Sequence, residues 1–503
     1  MASSLPDYLA AARPVPQDKR APWYLNVAQT YASVMLWYVF WSSLAGAGGT
    51  FGGTLSAGIW PLLLAILVGG LICYFCFYLV PGLLGMKTGL PLYVVGTSTY
   101  GAQGGLIMPG FLMGILQFGW LGVNAFMVAE VLCKCFGVGL TEGGAVQFPN
   151  PAHALIAIVF AGGAAFMGLK GIQYVARVAS LFPVIPLVIL VVLFVSTIGG
   201  VGKFDSAVAV NTGKTAYADA VAKAEKDHAE AVAKGEDVSL KAPDKPGEPM
   251  PAGTVILVVI GVVVGFFATA GAAGADLAMN SRNANDVQWG GLVGIALMTL
   301  IAGGLAVLVV AGTYGAGKVP ASELKTYLDP LHLMSGVIGD TTAKVFLVLL
   351  AISAFPGGCF SAYIAATSFK TTMPKVNPYL SVGLGTLVSI FLAVTGLAAQ
   401  VVPFFLIIGA SFGPICGAMA ADYLLSGGRW AGPRAGFNPA GWISWAVGFA
   451  VGTANFYLPL LKVEMRVPCE PVVAFLVGFV LYYALAKAGM ESKSLGALQS
   501  ERL

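Results

Sequence analysis

Residues 253–276 read GTVILVVIGVVVGFFATAGAAGAD, and this stretch decides the fold class. Asp276 is its one charged residue, and a helix needs roughly 20 apolar residues to cross a bilayer. Lipid offers the backbone no hydrogen bonds, so a run of this kind must satisfy its own N–H and C=O groups as a helix. The stretch therefore predicts a transmembrane helix.

The rest of the chain has the same character. Hydrophobic residues make up 57% of the 503 positions and charged residues 10%, against roughly 25% charged in a typical soluble domain. Apolar segments lie at 26–47, 57–84, 104–136, 152–168, 172–198, 253–280, 288–312, 344–369, 379–397, 401–425, 440–461 and 468–487. We predict an all-α membrane protein with about twelve transmembrane helices. The net charge of +4 is small and indicates no nucleic-acid partner.

The distribution of lysine and arginine predicts the orientation. With the N-terminus inside, the cytoplasmic loops carry fourteen of these residues and the short external loops six. The count leaves out seven lysines in the polar segment 199–251, because long inserted segments translocate largely regardless of charge. We expect both termini in the cytoplasm, with tails at 1–25 and 488–503. Segment 199–251 is expected outside, either as a solvated insertion or as a lid or partner site.

No catalytic residue or metal site is predicted. The seven cysteines have neither zinc-ligand nor disulfide spacing, and the three histidines are not placed with a nucleophile or metal partner. Three acids lie at membrane depth, namely Asp276, Asp422 and Glu130, and Glu130 is spaced to pair with Lys134 one helical turn later.

The third segment places two amides and an indole on one helix face. Gln117, Trp120 and Asn124 stand at i, i+3 and i+7. Intramembrane polar side chains face protein or a cavity rather than lipid. A flat indole between two amides suits a planar heterocycle, because the ring can stack while the amides bind its edge. The same spacing would also serve residues that only bond neighbouring helices.

Two segments carry glycine at depth. In the sixth, Gly265, Gly271 and Gly274 surround Phe266, Phe267 and Thr269, which predicts either a helix break that exposes backbone groups or a close-packed face of small residues. In the eighth, Pro356, Gly357 and Gly358 follow Ser353. Proline and glycine in mid-helix predict a local break.

At these residues the chain resembles the nucleobase:cation symporter-1 family, and within it the bacterial cytosine permeases. The resemblance rests on residues 85–90 (GMKTGL), 117–122 (QFGWLG), 271–284 and 420–424 (AADYL), in matching order over nearly the whole chain. It implies a LeuT-type fold of two inverted five-helix repeats, at 26–198 and 252–425, followed by two helices at 426–487. It also implies alternating access around a midplane site.

Residue roles follow from the resemblance. It implies that Trp120 stacks on one face of the substrate and Phe267 on the other. It places Gln117, Asn124 and the segment around Phe266 and Thr269 at the substrate edge, with Gly358 beside them.

The resemblance also implies a cation site between the first and eighth helices, near Trp37, Trp41 and Ser353. Pro356 and Gly357 stand where sodium-coupled members carry hydroxyl side chains, so the coupling cation is Na⁺ or H⁺, with Asp276 a candidate proton carrier. No other cofactor is expected.

The function predicted from these features is a symporter, active as a monomer in the inner (plasma) membrane, that imports a nucleobase or related cyclic amide. An amino-acid or amine carrier of the same fold and an uncoupled uniporter are the alternatives. The predicted partners are the small heterocycle and the lipid bilayer.

Overall fold

The computed structural model describes residues 5–26, 41, 44, 49–141, 146–171, 182, 184–233, 244–317, 330–373 and 375–496. The predicted first segment, with Trp37, lies almost entirely outside the described residues, as does the start of the fifth. Within the described part of the chain the structure is helical, with four isolated bridges and no strand.

Thirteen longer helices are numbered here in chain order. They are α1 (Ile59–Thr88), α2 (Leu106–Phe136), α3 (Pro151–Lys170), α4 (Val184–Val201), α5 (Ser206–Ala233), α6 (Ala252–Ala272), α7 (Ala284–Gly315), α8 (Asp340–Ser353), α9 (Phe355–Thr372), α10 (Pro378–Val394), α11 (Val401–Leu425), α12 (Pro439–Gly452) and α13 (Glu470–Lys487). Shorter helices are Asp7–Ala10, Trp23–Asn26, Leu92–Val95, Thr97–Tyr100, Gly274–Ala278, Pro330–Ile338 and Ala454–Tyr457.

These helices match the predicted segments from the second to the twelfth, with α8 and α9 together forming the eighth. Among the described residues, nine helical stretches are long and apolar enough to cross a membrane. The helix α10, of 17 residues, is shorter but also apolar. The predicted all-α membrane architecture is confirmed.

The interruption in the sixth segment lies later than expected. The helix α6 runs without a break through Phe266 and Gly271 to Ala272, and a turn at Ala273 leads into Gly274–Ala278. A Cβ on Gly265 would lie 2.7 Å from the Phe405 carbonyl oxygen, and one on Gly271 would lie 2.5 Å from Phe77 Cβ. Gly265 and Gly271 therefore permit close packing on α11 and α1, while the helix is interrupted only at Ala273, between Gly271 and Gly274.

The predicted break in the eighth segment is confirmed, although it is slight. Ala354 separates α8 from α9 and keeps near-helical angles, φ −75° and ψ −19°. Pro356 stands in the first turn of α9, where its missing N–H costs no helical hydrogen bond.

The two described ends of the chain lie at the same end of the bundle. On the N-terminal side, Arg20 Nη1 donates to the Met86 carbonyl at the end of α1 (2.7 Å). Near the C-terminus, Leu495 N donates to Pro433 O (2.8 Å). Both regions reach Ala102, whose carbonyl accepts from the Tyr8 hydroxyl and whose N–H donates to Arg434 O.

Two of the three acids at membrane depth are held in structural ion pairs. Glu130 binds Lys134 at 2.9 Å, as the i, i+4 spacing predicts. The Asp422 carboxylate accepts from Arg434 at 2.9 Å, from Ser98 at 2.6 Å and from Tyr482 at 3.1 Å. Asp422 therefore ties α11 to three other parts of the chain.

The insertion packs on the segment before α1. Ala209 and Thr212 of α5 are buried, and the Tyr217 ring lies 6.1 Å from that of Phe51. Phe51 N also donates to the carbonyl of Gly247, beyond α5 (2.9 Å). One face of the first half of α5 is thus packed against the protein, and the second half is largely exposed.

Replacement of Gly85 by alanine tests the close contact between α1 and the Gly274–Ala278 helix. A Cβ on Gly85 would collide with the carbonyl group of Ala275. Because backbone must then move, we expect Gly85→Ala to lower the free energy of unfolding by about 1–3 kcal/mol. Thermal unfolding in detergent measures this effect. Gly162→Ala in α3, with open space at its Cβ, is the matched control; equal melting temperatures for the two variants would contradict the contact.

Candidate functional site

The site is built around Trp120, which lies half way along α2. Its indole Nε1 donates to Thr269 Oγ1 of α6 at 3.0 Å. This hydrogen bond joins the third and sixth predicted segments and fixes the plane of the indole ring. The side chain stays half-buried.

Three phenylalanine rings surround the indole. Phe405 of α11 stacks on it, with centroids 5.0 Å apart and an interplanar angle of 27°. Phe266 of α6 and Phe404 of α11 approach it edge-on at 4.8 Å and 5.9 Å. Each such pair contributes about 0.5–1.5 kcal/mol beyond simple burial. The result is an aromatic pocket wall assembled from α2, α6 and α11.

The sequence analysis does not predict that α11 contributes aromatic rings to this site. Phe404 and Phe405 follow Pro403 at the start of the tenth segment, and a Cβ on Gly119 would collide with the Phe404 ring. The local signal was an aromatic pair facing a glycine on another helix. Aromatic pairs are common in apolar helices, so nothing in the sequence connected this pair to Trp120.

The sixth segment supplies Phe266 to the indole. The resemblance implied Phe267 as the second stacking residue, but Phe267 is 1% exposed, and its ring centre lies 5.3 Å from that of Phe266. Phe266 also contacts Phe405 edge-on at 4.7 Å. The ring on α6 that completes the wall around Trp120 is therefore Phe266.

The two amides are buried on the same side of α2 and bonded within that helix. Asn124 Nδ2 donates to the Trp120 carbonyl at 2.9 Å, and Gln117 Nε2 donates to Met113 Sδ at 3.4 Å. A Cβ on Gly357 would lie 3.7 Å from Asn124 Oδ1, so the start of α9 faces Asn124. Gly358 instead faces α3, where its Cβ would lie 3.1 Å from Ala164.

The residues predicted for cation coupling are only partly described. Trp37 lies outside the described residues, and Trp41 is fully buried. Ser353 is buried at the end of α8, where its Oγ donates to Leu350 O at 2.7 Å. Pro356 and Gly357, in the first turn of α9, have no side-chain oxygen.

Asp276 lies apart from the aromatic wall. It is on the Gly274–Ala278 helix, two helical turns beyond Thr269, or roughly 10 Å along the axis. The backbone N–H of Leu92 faces its carboxylate, and Tyr363 of α9 lies within electrostatic reach. Asp276, in the second predicted repeat, thus faces the Leu92–Val95 helix of the first. In the described ranges, no group of three His, Cys, Asp or Glu side chains is arranged to hold a metal ion.

The helical arrangement and the aromatic site define a multi-pass membrane protein with a LeuT-type fold. The structure of Mhp1 in its inward-facing conformation superposes with a TM-score of 0.63 at 17% identity, over 97% of this chain and 95% of that chain. Mhp1 in a closed conformation, described as a nucleobase-cation-symport-1 family transporter with bromovinylhydantoin bound, gives 0.59 at 17% identity over 97% of each chain. A Na⁺-coupled sialic acid symporter gives 0.52 at 12% identity, over 97% of this chain and 95% of that one.

The chain belongs to the family of permeases for cytosine/purines, uracil, thiamine and allantoin, whose model matches residues 14–478. The cytosine permeases of Escherichia coli strain K12 and of E. coli O157:H7 are each 35% identical to it over 129 residues. That alignment spans 25% of this chain and 28% of those relatives.

A change of Thr269 tests the hydrogen bond that orients the indole. Thr269→Val keeps the shape but removes the oxygen that accepts from Trp120. The indole N–H then loses its partner, and we expect a loss of about 1 kcal/mol in the free energy of unfolding. Thr269→Ser, which retains the acceptor, is the control in the same thermal-unfolding assay. If Thr269→Val were as stable as wild type, this bond would not hold the site together.

Proposed function

We propose that the protein is a secondary active transporter that imports a nucleobase or related cyclic amide, of the cytosine, uracil, purine, hydantoin or allantoin type, by alternating access. It works as a monomer in the inner (plasma) membrane with both termini in the cytoplasm. The observation that carries the proposal is the Trp120 platform at mid-membrane, held by Thr269 and flanked by Gln117 and Asn124 on one helix face.

The geometry suits a flat, polar ring. Phe405 stacks on one face of the Trp120 indole with its ring nearly parallel at 5.0 Å, so a substrate ring would take the place of Phe405 or stack on the opposite face. Stacking of a base on an aromatic side chain contributes about 1–3 kcal/mol. The backbone from Phe266 to Gly271 is engaged in α6, so hydrogen bonds to the substrate edge come from Thr269, Gln117 and Asn124.

Family membership supports the same substrate class. The family comprises permeases for cytosine/purines, uracil, thiamine and allantoin, and the E. coli relatives are cytosine permeases. One structural neighbour, Mhp1, holds a hydantoin derivative in its closed conformation. All of these ligands but thiamine are cyclic amides or aromatic bases with donors and acceptors around a ring, which matches an indole platform between amides.

The alternative of an amino-acid or amine carrier is less well supported. Recognition of a carboxylate at midplane usually uses the free N–H groups of a broken helix. In α6 the helix is continuous from Ala252 to Ala272, so no such N–H groups are free at the level of Phe266.

We propose a proton as the coupling ion, with an uncoupled uniporter as the alternative. Sodium requires several hard oxygen ligands, and Pro356 and Gly357 supply no side-chain oxygen. A proton requires a single titratable group, and Asp276 follows the end of α6 with its carboxylate facing the backbone N–H of Leu92. Elements from both predicted repeats meet at Asp276, so protonation of its carboxylate changes the electrostatic interaction between the two repeats.

Substitutions at the platform test the substrate site. We expect Trp120→Ala to weaken ligand binding roughly tenfold to a hundredfold, the value of one stacked base. Phe266→Ala should weaken it more than Phe267→Ala, because Phe266 is the ring that contacts the indole. A thermal-shift screen of the purified wild-type protein against nucleobases, hydantoin and allantoin identifies the ligand, and counterflow of that ligand in proteoliposomes measures transport. Unchanged affinity in a folded Trp120→Ala protein would refute the stacking role.

Ion replacement tests the coupling. Uptake should follow an imposed pH gradient and persist when choline replaces sodium. Asp276→Asn, which cannot release a proton, should silence or uncouple it, whereas Glu130→Gln should leave the pH dependence intact because Glu130 serves an ion pair with Lys134. Steep dependence of binding on sodium, with no response to pH, would instead indicate a sodium site built from carbonyl oxygens.

A further inference from the structure

A cavity of about 470 Å³ lies at the end of the bundle that carries both termini. It opens between the last turn of α1 and the segment that follows α11, and its lining comprises Lys87, Thr88, Ser426, Arg429, Trp430 and Ala431. Its volume is within the range of roughly 300–1,000 Å³ typical of small-molecule sites. None of these residues belongs to the Trp120 site, which lies half way along α2.

Two cations face this cavity, and neither has a carboxylate partner among the described residues. Lys87 Nζ donates to the Tyr423 hydroxyl at 2.8 Å and to the Gly428 carbonyl at 2.6 Å. An ammonium group has three donors, so one remains for a ligand. Arg429 is exposed, and it makes no hydrogen bond or ion pair with any residue that the structure describes. All the N–H donors of the Arg429 guanidinium are therefore available to a ligand.

Two acids at this end of the molecule are bonded to other groups. Asp422 precedes Tyr423 directly, but its carboxylate is bound by Arg434 at 2.9 Å and by the hydroxyls of Ser98 and Tyr482. Glu491 is bound by the second nitrogen of the same Arg434 at 2.6 Å. In the described part of the chain neither carboxylate pairs with Lys87 or Arg429, and Asp422, Glu491 and Arg434 together leave one negative charge against these two positive ones.

The cavity adjoins the end of the apolar helix α11 at Leu425, and we infer that it lies near the membrane surface. Leu424, in the last turn of α11, is 60% exposed, as expected of a side chain that faces lipid tails. Trp430 lines the cavity, with its Nε1 donating to Val95 O at 2.9 Å. Tryptophan is enriched at the headgroup level of membrane proteins. A ligand here would have an apolar surface on one side and two cations on the other.

We propose that this cavity binds a phosphate group, held by the Arg429 guanidinium and the Lys87 ammonium with the Ser426 hydroxyl as a neutral donor. Arginine binds phosphate through paired, charge-assisted hydrogen bonds, and lysine adds a point charge. The phosphate is supplied either by the headgroup of an anionic membrane lipid or by a soluble phosphate. Its binding bridges α1, in the first predicted repeat, and the segment that directly follows the second predicted repeat.

The test uses the full-length protein in detergent, with three added probes. These are dioleoylphosphatidylglycerol, dioleoylphosphatidylcholine, and sodium phosphate against sodium chloride at equal ionic strength. Native mass spectrometry and the shift in melting temperature report binding. We expect saturable binding of the anionic lipid or of inorganic phosphate, and weaker binding of phosphatidylcholine because its choline group is repelled by the two cations.

Variants separate the cavity from general surface charge. Arg429→Gln removes no contact with described protein residues, so its fold should be intact, and we expect roughly tenfold weaker binding, as for one lost charge-assisted hydrogen bond. Lys87→Gln combined with Arg429→Gln should abolish the binding. The control combines Arg13→Gln with Lys493→Gln, which removes the same charge from the same end of the molecule.

Each outcome decides the proposal. Binding of phosphatidylglycerol alone identifies a lipid headgroup, and binding of inorganic phosphate alone identifies a soluble ligand; both support a phosphate site if Arg429→Gln weakens them. Wild-type affinity in Arg429→Gln, an equal loss in the control, or no preference for either anionic probe over phosphatidylcholine and chloride overturns it. None of these readouts depends on which substrate is transported.

Discussion

The need to satisfy every backbone polar group inside lipid shapes the whole structure. In the described part of the chain, the apolar segments are helices that meet this need within themselves. The glycines of α6 illustrate this constraint. Gly265 and Gly271 allow the backbone of α6 to approach α11 and α1 closely, while the helix keeps its own hydrogen bonds as far as Ala272. One-residue interruptions occur at Ala273, Ala354 and Thr453, and a helix resumes after each of them.

Specific recognition in such a bundle must come from side chains that cross between helices. The bond from Trp120 to Thr269 performs this function, since it connects α2 to α6 and sets the plane on which Phe405 of α11 stacks. Asn124 and Gln117 are turned back onto their own helix. Their carbonyl oxygens retain acceptor capacity, so a ligand with donors on its edge can engage them without displacing the existing bonds.

Much of this arrangement could be predicted from the sequence, for identifiable reasons. Long apolar runs specify membrane helices directly, and the spacing of Gln117, Trp120 and Asn124 specifies a shared face. The position of the break in the sixth segment could not be predicted, because glycine permits both a break and close packing, and the choice depends on Phe77 and Phe405 in distant helices. Which of Phe266 and Phe267 faces the Trp120 ring also depends on packing against other helices, so the sequence does not decide it. The contribution of Phe404 and Phe405 could not be predicted because it too depends on how distant helices pack.

The basic residues at the end with both termini have more than one role. Arg434 is buried between Asp422 and Glu491 and joins α11 to the C-terminal segment. Arg20 binds the Met86 carbonyl, and Arg282 binds Asp286 at the start of α7. A count of lysine and arginine does not distinguish these three arginines from other basic residues. Their side chains form hydrogen bonds and ion pairs that hold loops in place. Lys87 and Arg429 differ because, in the described part of the chain, neither forms an ion pair with an acid. The basic residues whose excess predicts the orientation are therefore of two kinds. Some stabilise the fold through bonds to other protein groups, and others remain available to bind an anion from outside the protein.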